Sequence, residues 1–372
     1  MKNQLITVGS FDFARAQIIK TELLAANIEC FQEHEEAIMS GTQSIVNIRI
    51  NEADIDKALK IINNYNDTLT VVKEIVPKLQ FPLKKILVAV DFTAHTIVTC
   101  RYAINIARTL NAEIKLVHAY ENPAINSSPY TEPVVYTIEP EIQLSVLLAE
   151  AKMKINNLKK ELKQFWPEAR LSYTLVNESP VDGILKASND FKPGLIFIGH
   201  HLKDRLPNSM ISHIARKVAG KTTIPVLVVP DNIAERNWTG IKKVLYATDL
   251  DDQDLISLTL LSELMKPLNI EIHCVHVSIG NIDPLVRARF DLLKKEMKSR
   301  NIKLNNVVCN LILGDDVENT LETYLRNNNI GLISMTPHKR NLLTRWLTPS
   351  LTNQIVKNAD VPVLLFHDSS VG

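Results

Sequence analysis

One stretch of this chain is written twice. KKILVAVDF at 84–92 returns as KKVLYATDL at 242–250, and AEIKLVHAY at 112–120 returns as IEIHCVHVS at 270–278. PGLIFIGHH at 193–201 returns as IGLISMTPH at 330–338, and IPVLVVPD at 224–231 as VPVLLFHD at 361–368. The first two pairs stand 158 residues apart and the last two 137. A pattern repeated in order at near-constant spacing means two copies of one folding unit. The change of offset falls on ENPAINSSPYTEPVVYTIEPEIQ at 121–143, rich in Pro, Ser and Thr. It reads as a long surface loop of the first copy leading into a helix.

Within each copy, short β-branched runs alternate with helical periodicity. In the first, ILVAV is a strand, and CRYAINIARTL is a helix with Ala103, Ile104, Ala107 and Leu110 on one face. IKLVHA, SYTLV, LIFIG and PVLVV are further strands, separated by the helical stretch SVLLAEAKMKINNLKKELKQFW and by a helix over 210–219. Ser179-Pro180 supplies an N-cap with proline at the first helical position, and Asp315-Asp316 supplies the cap in the second copy. Apolar strands each followed by a helix predict a parallel sheet covered on both faces. Ligands of such sheets sit beyond the carboxyl ends of the strands.

Residues 1–75 follow another pattern. LITVGS, IECFQEH and SIVNIRI read as strands, and FARAQIIKTELLAAN and EADIDKALKIINNY as helices. That βαββα order predicts a small ferredoxin-like α+β domain. VKEIVPKLQFP and NIAERNWTG read as linkers, so the expected domains are 1–75, 81–232 and 240–368.

Composition removes several function classes. A net charge of +1 gives no basic excess for nucleic acid. No apolar stretch reaches membrane-spanning length, and the N-terminus carries no signal-peptide pattern, so a cytoplasmic location is expected. The four cysteines, Cys30, Cys100, Cys274 and Cys309, are far apart in sequence with no metal spacing, and read as free thiols. His200, His201 and His213 match no common zinc site. Neither G-x-S-x-G, H-E-x-x-H nor a P-loop is present, so a non-catalytic protein is expected.

KKILVAVDFT, RYAINIARTLNAEIKLVHAYENP, SPVDGILKASNDFKPGLIFIGHH and KTTIPVLVVPD, in that order and found twice, resemble the universal stress protein family. The resemblance covers 84–231 and 242–368. It implies two doubly wound, five-stranded parallel sheets of Rossmann-like type and a role in stress response or signalling. Residues 1–66 are similar to a family of small prokaryotic signal-transducing domains, through VGSFDFARAQIIKTELLAANIECF and EADIDKALKII.

Many members bind ATP through G-x2-G-x9-G-[ST] after the fourth strand. Aligned on Pro225, those positions hold Gly199, Leu202, Ser212 and His213. Aligned on Pro362, they hold Thr336, Lys339, Pro349 and Ser350. One glycine of three remains in the first copy and none in the second, and Pro349 also lacks an N–H donor. The phosphate cradle is therefore expected to be degenerate, and ATP is disfavoured as a cofactor. Asp91 and Asp249 match an acidic position near the nucleoside, and His201 and His338 a loop histidine. The resemblance thus marks Asp91, Gly199, His201, Asp249, His338 and Ser350 as weak nucleotide contacts. A polar cap at a strand end is the plainer account of the two aspartates. Lys339, Arg340 and Arg345 make the second loop basic, either as a solvated face or as an anion contact.

The expected protein is thus a non-catalytic, cytosolic stress-response or signalling protein with a degenerate nucleotide loop. Two other readings stay open: an ATP-binding switch using the first repeat, and a sensor of another small ligand. A protein partner is compatible with either. The last strands, 224–229 and 361–366, would be bare apolar edges if the repeats stood apart. They are expected to pair antiparallel as an intrachain pseudo-dimer.

Overall fold

The structure, a computed structural model, describes residues 5–35, 45–65, 83–120, 140–200, 213–230, 241–299, 307–336 and 361–367. The first unit runs β1 (Leu5–Asp12), α1 (Phe13–Ala25), β2 (Cys30–Glu35), β3 (Ile45–Asn51) and, after a 3-10 turn at Glu52–Asp54, α2 (Ile55–Tyr65). Its sheet has the order β1-β3-β2 with both pairings antiparallel, so β1 and β2 run parallel on either side of β3. That is the split arrangement the βαββα pattern predicts. Ile19, Leu23, Ile48, Ile50, Leu59 and Ile62 fill its own small core.

The first repeat contains β4 (Lys85–Ala89), α3 (Thr96–Leu110), β5 (Glu113–Tyr120), α4 (Pro140–Phe165), β6 (Leu171–Asn177), α5 (Pro180–Phe191), β7 (Leu195–His200), α6 (His213–Ala219) and β8 (Val226–Pro230). The second contains β9 (Lys243–Ala247), α7 (Asp252–Met265), β10 (Glu271–Ile279), α8 (Pro284–Ser299), β11 (Val307–Gly314), α9 (Val317–Asn327), β12 (Leu332–Met335) and β13 (Val363–Leu365). All ten strands join one sheet in the order β11-β10-β9-β12-β13-β8-β7-β4-β5-β6. Each half has its first strand in the middle, with crossovers leaving in opposite directions, which is double winding.

The halves meet through the strands expected to pair. β13 and β8 are antiparallel, with Val363 opposite Val228, Leu364 opposite Leu227 and Leu365 opposite Val226. Leu227, Val229, Leu364 and Phe366 belong to the apolar layer on one face of the sheet, and Val226, Val228, Val363 and Leu365 to the layer on the other. Both layers cross the seam, so the two repeats share their cores.

Two local expectations change. Helix α3 begins at Thr96, ahead of CRYAINIARTL, because Thr93 and Thr96 are held by Asp91. The third strands are not apolar throughout. β6 and β11 are mostly half-exposed because they form the two outer edges of the sheet. The caps stand where expected: Ser179 accepts from Asp182 N at 3.3 Å, and Asp316 from Asn319 N at 2.9 Å.

The N-terminal unit rests on α8. Leu285, Ala288 and Leu292 of that helix pack against its core, and Arg289 Nη2 donates to Val8 O at 2.6 Å. Among the described residues, no helix is long and apolar enough to cross a membrane.

Candidate functional site

In each repeat the first and fourth strands are neighbours, and the place for a ligand in such a sheet is the crevice beyond their carboxyl ends. In the first repeat that crevice lies between β4 and β7, which pair Val88 with Phe197. Asp91 follows β4, and its Oδ1 accepts from Thr93 N at 3.1 Å, Thr93 Oγ1 at 2.9 Å and Thr96 Oγ1 at 2.6 Å. One carboxylate oxygen thereby ties the loop to the first turn of α3. Phe92, beside it, holds a left-handed backbone at φ 60°, which a non-glycine residue adopts at a cost of about 1–2 kcal/mol. Its ring lies 4.4 Å from that of His118, and Lys154 of α4 stands 5.9 Å over it. His118 Nδ1 donates to Val90 O at 2.7 Å.

Gly199 faces this loop from the end of β7. A Cβ on it would lie 2.8 Å from Thr99 Oγ1, closer than packed atoms approach. Glycine is therefore required by α3 as it stands. The structure brings Asp91 and Gly199 together at one crevice, joined through Thr96 and Thr99 of α3. Cys100, on the same helix, is no nucleophile: burial, then the charges of Asp91 and Glu161, push its thiol up to about 12.

The second crevice is built differently. Its counterparts of Val88, Thr96, Thr99 and Gly199 are Tyr246, Asp254, Ser257 and Thr336. Tyr246 OH donates to Asp254 Oδ1 at 2.7 Å and lies 3.1 Å from Thr336 Oγ1, which is 2.7 Å from Ser257 Oγ. Asp254 Oδ2 accepts from Thr248 Oγ1 at 2.6 Å and from the backbone N–H groups of Asp249 and Asp251, both at 3.1 Å. Tyr246, Thr248, Asp254, Ser257 and Thr336 are all buried. Here Asp254, inside α7, ties the loop that Asp91 ties in the first repeat. Burial, followed by the neighbouring Asp254 charge, holds the Tyr246 phenol well above its ordinary range. His276 Nδ1 donates to Thr248 O at 2.8 Å, and burial lowers its pKa.

Asp249 sits half-buried after β9, in the position matching Asp91. His201, His338 and Ser350 lie outside the described residues, as do Leu202, Ser212, Lys339 and Pro349. Among the described residues, no three His, Cys, Asp or Glu side chains could hold a metal ion. Sequence reasoning missed Thr96, Thr99, Tyr246, Asp254 and Ser257. The repeat offset carried the information: laid on each other, the copies put Asp254 at Thr96 and Ser257 at Thr99.

The universal stress protein family model matches residues 82–230 and again 240–367. The chain belongs to the universal stress protein family. It carries that family's domain in tandem, one copy in each half of the ten-stranded sheet. "Stress response protein NhaX" of Bacillus subtilis (strain 168) is 22% identical over 177 residues, covering 40% of this chain and 99% of that one. "Universal stress protein YxiE" of the same organism is 26% identical over 149 residues, covering 39% of this chain and 97% of its own. A solved universal stress protein from Archaeoglobus fulgidus DSM 4304 superposes with a TM-score of 0.52 at 16% identity. It covers 77% of this chain and 99% of that one. At that identity the likeness concerns the fold, and it extends over both universal stress domains.

Proposed function

We propose that this tandem universal stress protein is a non-catalytic stress-response and signalling protein of the cytoplasm, in which any small ligand binds at the first repeat, and weakly. One observation carries the reading. Thr336 joins a buried Tyr246–Asp254–Ser257 network after β12, whereas the first repeat keeps Gly199 at the matching place, with Thr99 Oγ1 packed against it and Asp91 holding the loop beside it. The names of the relatives support the stress role.

Hydroxyls and a carboxylate at the first crevice suit the ribose or base edge of a nucleoside better than its phosphates, which Asp91 repels. Leu202 and Ser212, at two glycine positions of the family's loop, add side chains where backbone N–H groups would have to approach an anion closely. Neither His118 nor His276 is poised as a base through Nδ1, since each gives that nitrogen's proton to a backbone carbonyl.

Isothermal titration of the full chain with Mg-ATP tests this. The expected result is one weak site, roughly millimolar, removed by Gly199→Val. Micromolar binding at two sites, or phosphate release above the buffer rate, would overturn it.

A further inference from the structure

Cys274 and Cys309 are distant in sequence but are register partners on the parallel strands β10 and β11. Side chains at paired positions point to one face, and here both meet the apolar layer containing Leu293 and Met297 of α8. Paired strands lie about 4.8 Å apart. That falls within the Cα separation of about 4.4–6.8 Å that a disulfide spans. Among the described residues β11 pairs on one side only, as an edge strand, so it can move the short distance that brings the sulfurs together. Cys274 is fully buried, whereas Cys309 is part-exposed on the edge strand.

We propose that Cys274 and Cys309 form a thiol–disulfide site, in which Cys309 reacts with a hydroperoxide and Cys274 resolves the product. The surroundings divide the roles. The Cys274 thiol beside it, then the ammonium groups of Lys294 and Lys298, lower the pKa of Cys309 against the cost of burial. Cys274, donor of that hydrogen bond and fully buried, is held well above the ordinary thiol range. A part-exposed thiol near positive charge is the reactive kind. The Cys309 thiolate attacks a peroxide oxygen and the O–O bond breaks. The departing oxygen takes a solvent proton and leaves as water or an alcohol, and Cys309 becomes a sulfenic acid. Cys274 sulfur then attacks the Cys309 sulfur. The S–O bond breaks, the S–S bond forms, and the Cys274 proton leaves with the hydroxide as water. Two thiols lose two electrons and the peroxide gains them.

The test treats the full chain with hydrogen peroxide, alkylates it after unfolding and maps the peptides. The expected product is a single bridged peptide pair holding Cys274 and Cys309, with Cys30 and Cys100 still alkylated. Cys309→Ser should abolish the bridge. Cys274→Ala should leave a sulfenic acid on Cys309 that dimedone traps, and Cys274→Val gives the same readout with more of the core volume kept. Lys294→Gln with Lys298→Gln should slow native-state alkylation of Cys309 about threefold, as expected when two ammonium charges no longer favour the thiolate. Full alkylation of both thiols after peroxide, or bridges to Cys30 at equal yield, would overturn the site. So would equal dimedone labelling of wild type and Cys274→Ala.

Discussion

Gly199 and Thr336 occupy one position of a repeated unit, and the side chain across from each decides what fits. Thr99 stands opposite Gly199 and excludes a Cβ. Ser257, one methyl smaller, stands opposite Thr336 and bonds its hydroxyl at 2.7 Å. Gly199→Thr alone should therefore lower stability by about 2–3 kcal/mol, by forcing Thr99 and α3 to shift. Adding Thr99→Ser recreates the second-repeat pair and should return at least half of that loss. Urea unfolding of the two single variants and the double variant reads the coupling directly. Purely additive effects would mean that the two crevices differ for some other reason. Asp254 makes the same point about charge. Its carboxylate is buried and accepts from two hydroxyls and two backbone N–H groups, so it holds the loop from inside α7.

At the scale of elements, the central strand pair gives the ten-stranded sheet its unity. β8 and β13 would each be a bare apolar edge alone, and together they carry buried Leu227, Val228, Leu364 and Leu365 through the middle of both core layers. Burying such a side chain is worth about 1.5–3 kcal/mol. Leu364→Ala should cost about 2–5 kcal/mol, cavity included. Because the layers cross the seam, the loss should be felt on both sides of it. Hydrogen exchange should show lost protection at 226–228 of the first repeat as well as at 363–365. Lost protection confined to the second repeat would show that the halves unfold separately.

Over the whole molecule, the N-terminal unit is attached at a small contact. Leu285, Ala288 and Leu292 of α8 meet it and Arg289 reaches Val8 O, but among the described residues neither layer of the large sheet contains any of its side chains. Residues 76–372 are therefore expected to stay folded and soluble after removal of 1–75. Their thermal midpoint should fall by only about 2–5 °C, as loss of a small apolar contact implies. Calorimetry of the truncated chain decides; loss of a cooperative transition would make the N-terminal unit integral to the fold.

Much of this architecture was legible in the residues because it is encoded locally. Alternating strand and helix periodicity, written twice, gives the number and order of elements, and the caps at Ser179 and Asp316 follow from side chains two or three positions away. The bare apolar last strands implied their own pairing. Asp91 and Gly199 could be placed at a crevice because strand order alone fixes which carboxyl ends adjoin. Periodicity states which face of an element is buried, but it does not say which distant side chain meets that face. Tyr246 and Thr336 are 90 positions apart, and Arg289 and Val8 are 281 apart. Cys274 and Cys309 become neighbours only when β11 takes its register on β10. The sequence by itself determined two copies of one doubly wound unit. Only the tertiary structure decided which side chains bond across the second copy's strand ends, which thiols touch and where the N-terminal unit rests, because packing between distant segments sets each of these.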